Sequence, residues 1–475
     1  MPDLVVCSHR GPLQHRRVRG RVVAGRGGGG LIGAVRPLME SSGGTWIAAA
    51  LTPADREVAA RNPAGSETGG FRLRLLDLPE DVHALHYDLM SNEYLWFAFH
   101  YLFDTPNSPV FDTRFARAWD AYRQVGAIYA RAVAEAAPCA AVWVHDYHLM
   151  TLGHELRALG EPSAPLLYFH HTPWPEPDYL SIFPAPVAGE LVRGLLSYDV
   201  VAFHSRRWAS AFVRCCEAMV PGAQVDAGGV TFQGRRTAVL VAPAPLDAPS
   251  VLEASKSPAV QSWTERLEAE RDGRRVLARV DRIDLSKNSL RGFLAFEALL
   301  ERRPELASSV WFLAMQYPSR LKVSSYRRYL NACMKVVRRI NDRHAGAGPG
   351  GEGPVGWYFQ DDFERSLAGM RIYDAMLVNP VFDGLNLVAK EGPVVNERNG
   401  TLILSTNAGV VEEIGEAAIR VNPFDVTGTC DAIEQALEMT PQDRANTATK
   451  LRALATATTP QQWGACQLKA AGVGS

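Results

Sequence analysis

Short apolar runs alternate with longer segments of helical periodicity along most of the chain. In the first half the apolar runs include LVVCS at 4–8, AVWVHD at 141–146, PLLYFHH at 165–171 and DVVAFHS at 199–205. Apolar runs of this length predict strands that are buried on both faces. The amphipathic stretch at 115–137 is typical of the helices that lie between such strands. This alternation predicts an α/β fold with a doubly wound parallel sheet.

A polar, proline-rich patch at 241–259 interrupts the pattern and predicts a linker between two domains. The alternation then restarts with a strand at 274–281 and a helix at 287–305, whose apolar residues share one face. We therefore expect two Rossmann-like domains facing a cleft, with ligands at the carboxyl ends of the strands. The predicted divisions are an N-terminal domain at 1–243, a linker at 244–259, a C-terminal domain at 260–452, and a closing segment at 453–475 for which a helix crossing back onto the first domain is one interpretation.

The balance of charged residues limits the kinds of partner that the protein can attract. The chain has 50 Lys and Arg residues and 51 Asp and Glu residues, which gives a net charge of −1. This balance predicts no general attraction to nucleic acid or to an anionic membrane, so a bound anion needs a local basic cluster. Seven cysteines without a C-x-x-C pair predict reduced thiols and a cytoplasmic location. No apolar run is long enough to predict a membrane span, and the sequence leaves a homo-oligomer open.

A glycine-rich stretch, AGRGGGGLIGAVRP at 24–37, contains the pattern G-x-G-x-x-G at Gly28, Gly30 and Gly33. A dinucleotide site also needs a carboxylate at the end of the next strand, for the ribose. The next predicted strand, TWIAAAL, ends without one. The pattern alone leaves three interpretations open: a dinucleotide loop, another phosphate cradle built from backbone amides, and a mobile surface turn.

Two strand-to-helix junctions in the second half predict a diphosphate site. Arg282 and Lys287 lie in RVDRIDLSKNS at 279–289, where cationic side chains and a helix N-terminus can neutralise a diphosphate without a metal. In NPVFDGLNLVAKEG, a turn at Asp383 precedes a helix predicted to begin near Leu385. A solvated basic pair and an ordinary helix cap at Asp383 are the alternatives.

Two other features complete the candidate chemistry. Glu391 lies two helical turns beyond Asp383 and is suited to accept hydrogen bonds from ribose hydroxyls. His145 and His148 in HDYH have no third metal ligand nearby, so we expect no catalytic metal.

The motifs DGLNLVAKE, RIDLSK, VHDYH, LWFAFHY and HTPWPEPDY together resemble those of the trehalose-6-phosphate synthases, which are retaining glycosyltransferases of the GT-B fold. They run in the family's order over nearly the whole chain. The variants RGGGGL, SKN and EGPVVNERNG are most similar to the actinobacterial branch, some of whose members use GDP-glucose. That branch lies near the validoxylamine phosphate synthase-like pseudo-glycosyltransferases.

This resemblance implies transfer of glucose from a nucleotide-glucose donor, with GDP-glucose favoured, to the sugar-phosphate acceptor glucose 6-phosphate, with no cofactor. It implies front-face substitution, in which Arg282 and Lys287 stabilise the leaving diphosphate. Asp146 then orients the acceptor hydroxyl, and His171 lies beside the reacting centre. The matching donor-binding positions are Gly30, Asp383, Gly384, Leu385, Asn386, Leu387 and Glu391, and the matching acceptor-binding positions are Arg10, Tyr87, Trp96, Asp146 and Arg320.

Several positions depart from the family pattern, most of them on the acceptor side: His9, Ala49, Thr172 and Phe382. They keep open a natural-product glycosyltransferase or pseudo-glycosyltransferase with another acceptor or a cyclitol donor. An NAD-dependent oxidoreductase lacks the ribose carboxylate described above. A catalytically silent relative is disfavoured because the donor-side residues are retained.

Overall fold

The computed structural model describes residues 3–27, 30–136 and 139–473. The chain divides into two compact units, Met1–Ala244 with Pro460–Ser475, and Pro245–Thr459. All seven cysteines lie in the described part of the chain and are free thiols. No helix among the described residues combines the length and the apolar character needed to cross a membrane.

The first unit is built on a mixed sheet whose centre is parallel. Its described strands are β1 (Leu4–Cys7), β2 (Leu13–Val18), β3 (Arg21–Arg26), β4 (Gly44–Ala49), β5 (Ser66–Thr68), β6 (Phe71–Leu76), β7 (Ala141–His145), β8 (Leu166–His170), β9 (Val200–Phe203), β10 (Gln224–Asp226), β11 (Gly229–Phe232) and β12 (Arg235–Val241). The sheet order is β10-β11-β12-β9-β8-β7-β1-β4-β6-β5, while β2 and β3 form a separate hairpin. The edge strands β5 and β10, and β11 beside β10, pair antiparallel with their neighbours, while the other seven strands form the predicted doubly wound parallel sheet.

Helices cover this sheet. In chain order they are α1 (Gly30–Ser42), α2 (Pro53–Arg61), α3 (Glu80–His83), α4 (Trp96–Phe99), α5 (Thr113–Ala134), α6 (Leu152–Leu159), α7 (Pro177–Leu180), α8 (Ala185–Leu195) and α9 (Arg206–Met219). Between α3 and α4 the chain forms a π-helix over Ala84–Leu95, and a 3₁₀ turn over Tyr147–Leu149 follows β7.

The second unit has the α/β alternation predicted from the sequence. Its described elements are α10 (Ala248–Ser255), α11 (Pro258–Arg271), β13 (Arg275–Ile283), α12 (Ser289–Arg302), β14 (Val310–Pro318), α13 (Ser324–Arg343), β15 (Val355–Phe359), α14 (Phe363–Ile372), β16 (Ala375–Val378), α15 (Val388–Val395), β17 (Thr401–Ser405), α16 (Val411–Ile414), β18 (Ile419–Val421), α17 (Val426–Glu438) and α18 (Pro441–Ala455). The strands form a parallel sheet in the order β15-β14-β13-β16-β17-β18. The predicted apolar face of α12 is present: Phe293 and Phe296 are fully buried against this sheet.

Two segments at the unit boundaries need a description of their own. The stretch predicted as a linker is helical over Ala248–Ser255, because Asp247 caps the helix by accepting from the Ser250 amide at 3.3 Å. Near the end of the chain, α19 (Pro460–Ala470) belongs to the first unit. Its Trp463 indole donates to the Ala242 carbonyl at 2.9 Å and lies 5.0 Å from the Trp143 ring.

Candidate active site

In the first unit the strand order reverses between β1 and β7, which are adjacent and parallel. Numbering its seven parallel strands along the chain gives the order 3-2-1-4-5-6-7, so the connections leave β1 and β7 in opposite directions. This reversal opens a crevice at the carboxyl ends of the two strands. Residues 8–10 follow β1 and residues 146–148 follow β7, so the structure brings Arg10 and Asp146 to the same crevice.

Tyr87 joins Arg10 at this crevice. The Arg10 guanidinium is exposed and donates from Nη2 to the Tyr87 hydroxyl at 2.7 Å. Tyr87 lies on the π-helix, a rare conformation that is frequent at functional sites. The pair presents a positive charge and a hydroxyl, which suits an anionic group of a ligand.

His9 lies against this pair in a cluster of aromatic rings. Its ring centroid is 4.5 Å from Tyr87 and 4.9 Å from His148, with interplanar angles of 15° and 9°. His83 and His86 are also within 5.4 Å. Burial lowers the pKa of His9 well below its usual value and the pKa of His86 to about 4, so both imidazoles are neutral at pH 7. His9, which departs from the family pattern, therefore packs directly against Tyr87, a predicted acceptor-binding residue.

Asp146 has a strained backbone. Its φ of 74° lies in the left-handed region, which costs a non-glycine residue roughly 1–3 kcal/mol and is concentrated at functional sites. The Asp146 amide donates to the Phe169 carbonyl at 2.8 Å, and His148 Nδ1 is 3.7 Å from Asp146 Oδ2. Trp96 reaches the same region through the ring of Tyr147, 6.0 Å away.

His171 follows β8 and contacts His145. The two rings are joined by a hydrogen bond of 3.1 Å between His145 Nδ1 and His171 Nε2. Burial lowers the pKa of His171 to about 3 and lowers the pKa of His145 as well. Both rings are therefore neutral at pH 7, and one of them donates its N–H to the other.

The departure at Thr172 lies beside a buried histidine, His170. The ring of His170 is fully buried, and its Nε2 lies 2.8 Å from the Thr172 hydroxyl. A buried ring nitrogen without a partner is costly, and the Thr172 hydroxyl provides one. The departure at Thr172 therefore has a structural reason in the residues next to His171.

The second unit has its own reversal of strand order, between β13 and β16. The order across the sheet is 3-2-1-4-5-6, as in Rossmann folds. The segment after β13 carries Arg282 and Lys287, and the segment after β16 carries Asp383. Lys287 Nζ lies 2.5 Å from Asp383 Oδ2, and the Val381 amide donates to the Ser286 carbonyl at 2.8 Å. The structure thus brings both predicted donor-side motifs together.

The asparagine in SKN also has a structural reason. Asn288 is left-handed, with φ of 62°, between the 3₁₀ turn Leu285–Lys287 and α12. Asparagine tolerates this conformation better than most residues, although glycine is more usual. The turn therefore keeps its shape without glycine.

The loop after Asp383 presents backbone amides. Asn386 has φ of 84°, and its side-chain amide donates to Asp383 Oδ2 at 3.0 Å. The amides of Leu385, Asn386 and Leu387 donate no hydrogen bond within the described part of the chain. Such amides bind anions well. The helix predicted from near Leu385 begins only at Val388, because the left-handed Asn386 is incompatible with the helix.

Glu391 lies in α15 and is partly buried. Burial raises the pKa of its carboxyl group to about 7. The neighbouring Lys390 instead pairs with Glu413 at 2.8 Å. Glu391 therefore holds its proton at a higher pH than an ordinary glutamate, and a hydrogen-bond donor placed here would favour its charged form.

Arg320 lies in the second unit, beside the 3₁₀ turn that carries Lys287. Its Nη1 is 2.6 Å from Oδ2 of the fully buried Asp284, and the Tyr326 hydroxyl donates to Asp284 Oδ1 at 3.1 Å. Arg320 has φ of 48°. Sequence analysis did not identify Asp284 and Tyr326, although Asp284 stands inside the RIDLSK motif.

The glycine pattern is only partly within the described residues. Gly28 lies outside them, Gly30 begins α1, and Gly33 lies inside that helix. A dinucleotide loop leads directly from the first strand to a helix. Here the β2–β3 hairpin lies between β1 and the glycine-rich loop. Across residues 3–27, 30–136 and 139–473, no three His, Cys, Asp or Glu side chains are arranged to hold a metal ion.

The chain has two Rossmann-like units, each with a topological switch point. One switch point carries a lysine and free backbone amides and the other an arginine–tyrosine pair, which is the arrangement expected of a GT-B glycosyltransferase. The comparisons with known proteins then give the family. The model of Glycosyltransferase family 20 matches residues 2–472, and the chain belongs to this family. An oxidoreductase using the glycine pattern is inconsistent with that membership.

Two of the relatives are similar in length to this chain. It is 31% identical to an alpha,alpha-trehalose-phosphate synthase [UDP-forming] 2 of Aspergillus niger, over 97% of this chain and 95% of that protein. It is also 31% identical to the alpha,alpha-trehalose-phosphate synthase [UDP-forming] of Yarrowia lipolytica, over 98% of both chains.

Solved structures give the same result. A trehalose-6-phosphate enzyme from E. coli bound with UDP-2-fluoro glucose superposes with a TM-score of 0.86, at 26% identity, over 99% of this chain and 98% of that one. An alpha,alpha-trehalose-phosphate synthase (UDP-forming) from Burkholderia xenovorans, in complex with glucose-6-phosphate, gives 0.84 at 25% identity, over 99% and 100%. The expected GT-B fold is confirmed.

Proposed function

We propose that this protein transfers glucose from a nucleoside-diphosphate glucose to glucose 6-phosphate, giving trehalose 6-phosphate with retention at the donor carbon. The observation that carries the proposal is the pairing of Lys287 with Asp383 at the switch point of the second unit. This arrangement places a cation and a carboxylate beside free backbone amides. The names of the family relatives support the same product.

Each donor-side residue is assigned to a different part of the nucleotide-sugar donor. Arg282 and Lys287 bind the diphosphate, assisted by the amides of Leu385 to Leu387. Asp383 accepts hydrogen bonds from the sugar hydroxyls, and Glu391 accepts them from the ribose. In this assignment the sugar hydroxyls compete with Lys287 for Asp383, which releases the ammonium group towards the phosphate.

Acceptor binding is assigned to Arg10 and Tyr87 of the first unit, whose guanidinium and hydroxyl groups suit the phosphate of the acceptor. Arg320 of the second unit keeps the acceptor-binding role that the family resemblance implies. Trp96 packs against the sugar ring. Asp146, fixed by its strained backbone, orients the attacking hydroxyl.

The reaction balances without an external base or a metal. The bond between donor C1 and the diphosphate oxygen breaks, and the acceptor oxygen bonds to C1 on the same face. The acceptor proton passes to a departing diphosphate oxygen, and the charge that develops there is stabilised by Arg282 and Lys287. His171 is neutral at pH 7 because burial lowers its pKa to about 3, so it acts as a hydrogen-bonding group and not as an acid.

The donor base remains a prediction. Resemblance to the actinobacterial branch favours GDP-glucose, whereas the relatives named above are UDP-forming. A second candidate, a natural-product transferase with another acceptor, is favoured by the ring cluster around His9. That cluster places an imidazole against the predicted acceptor-binding pair.

One experiment tests the proposal and names the donor. Purified protein is offered GDP-, UDP- and ADP-glucose in parallel with glucose 6-phosphate, and nucleoside diphosphate release and product mass are measured. We expect a phosphorylated disaccharide with one preferred donor. Nucleoside diphosphate binding without product from any of the three would refute glucose 6-phosphate as acceptor and favour the second candidate.

A further inference from the structure

A fully buried arginine, Arg279, lies beneath the turn that carries Lys287. It stands in β13, and its Nη1 donates to Asn379 Oδ1 at 2.7 Å. Its Nη2 donates to the backbone carbonyl of Lys287 and lies 2.8 Å from Asp281 Oδ2. The Asp281 carboxylate compensates the buried positive charge of Arg279. One hydrogen bond of the guanidinium goes to the main chain of Lys287 itself.

The turn that holds Lys287 is short, and hydrogen bonds of Ser286 and Asn288 tie it to the segment after β16. Only the left-handed Asn288 separates the turn Leu285–Lys287 from α12. The Asn288 side-chain amide donates to the carbonyls of Asn379 at 3.0 Å and Pro423 at 2.7 Å. Asn379 therefore receives both Arg279 and Asn288. This single residue after β16 ties the lysine turn to the segment that leads to Asp383.

A glycine leaves the room that Arg279 needs. Gly292 lies inside α12, where glycine weakens a helix. A Cβ at this position would stand 2.6 Å from Arg279 Nη1, and 3.2 Å from a methyl group of Leu377. The guanidinium cannot shift without losing a hydrogen bond, because Nη1 donates to Asn379 and Nη2 donates to Lys287. An added methyl group would therefore push it off both acceptors.

We propose that Arg279 is a positioning residue for Lys287 and that Gly292 is its structural complement. The guanidinium fixes the peptide after Lys287, and this direction sets where the ammonium group points. The inference rests on the proposed function, because it assumes that Lys287 binds the donor diphosphate. It extends the donor-side machinery to a fully buried residue of a β-strand, Arg279, which acts through Lys287.

The test compares three variants by calorimetric titration with UDP and GDP and by steady-state turnover. Arg279→Met removes the guanidinium, and Gly292→Ala displaces it without altering its chemistry. Arg365→Met is the matched control: Arg365 is another buried arginine of the second unit, and it packs 5.0 Å from the Trp263 ring and 4.8 Å from the Tyr358 ring. We expect the first two variants to weaken nucleoside diphosphate binding at least about fivefold and to lower kcat at least about tenfold. Arg365→Met, at equal loss of thermal stability, should change both less than about twofold.

A double-mutant cycle separates positioning from simple destabilisation. In a Lys287→Ala background, Arg279→Met should weaken nucleoside diphosphate binding less than about twofold, because the group that it positions is gone. If Arg279→Met fails to fold, the same cycle is run with Gly292→Ala. An equal loss in both backgrounds, or variants that behave as Arg365→Met does, would overturn the inference. Because the cycle needs no acceptor, a wild-type protein that binds the nucleotide but makes no disaccharide would refute only the proposed function.

Discussion

Replacing Lys287 with alanine removes a cation that pairs with the donor-side carboxylate of Asp383. In the structure its Nζ lies 2.5 Å from Asp383 Oδ2, and only 18% of the lysine side chain is exposed. During transfer the departing diphosphate gains negative charge next to this position. The variant keeps Arg282, so donor binding should weaken less than turnover.

The expected loss follows from where the charge develops. Removing one preorganised group that meets the transition-state charge costs about 2.7–4 kcal/mol, or roughly 10²–10³ in kcat. Asp383 neutralises part of the lysine's charge in the free protein, which favours the lower end, about 100-fold. Stability should fall by only about 1 kcal/mol, because the pair is partly exposed and Asn386 still donates to Asp383.

The assay is the initial rate of nucleoside diphosphate release at saturating donor and glucose 6-phosphate. Lys450→Ala is the control, since this lysine is 51% exposed and pairs with Glu416 at 3.2 Å on the surface of the same unit. The control should keep its rate, and circular dichroism should show both variants folded at the assay temperature. A folded Lys287→Ala variant within about tenfold of wild type would refute the role of this lysine.

Three other outcomes are expected. Arg320→Ala should raise KM for glucose 6-phosphate at least about tenfold with little change for the donor; equal changes in both KM values would remove it from the acceptor site. Because the pKa of Glu391 is raised to about 7, nucleoside diphosphate affinity should fall as pH drops from 8 to 6, and Glu391→Gln should flatten that dependence relative to wild type. Thr172→Val should lower the free energy of unfolding by about 1–2 kcal/mol in urea titrations, since it leaves His170 Nε2 with only the Pro173 carbonyl at 3.3 Å; an unchanged midpoint would contradict the pairing.

The central strands of both units were predictable because they are buried on both faces and read as continuous apolar runs. The β2–β3 hairpin was not predicted, because β2 is mostly exposed and its LQHRRV sequence lacks an apolar pattern. The edge strand β10 was missed for the same reason, because it is exposed throughout. Strands could therefore be predicted from the sequence where they are buried, because burial requires a run of apolar residues.

The donor-side motifs could be located from sequence since each is a short local segment at a strand end. Their meeting depends on the order of β13 and β16 in the sheet, which no local pattern encodes. The cluster around His9 is harder still: His9 and His148 are far apart in sequence, and only β1 pairing with β7 brings them together. Tertiary contacts of this kind leave no periodicity to detect.

The most direct test of retaining transfer to glucose 6-phosphate is an NMR measurement of the product made from donor labelled with ¹³C at C1. The preferred nucleotide-glucose from the donor screen is incubated with glucose 6-phosphate, and the labelled anomeric carbon is followed. We predict a non-reducing disaccharide phosphate in which the labelled carbon keeps the α configuration of the donor and is linked to C1 of the acceptor. A β linkage, a bond to another hydroxyl of the acceptor, or release of free labelled glucose alone would contradict the proposed reaction.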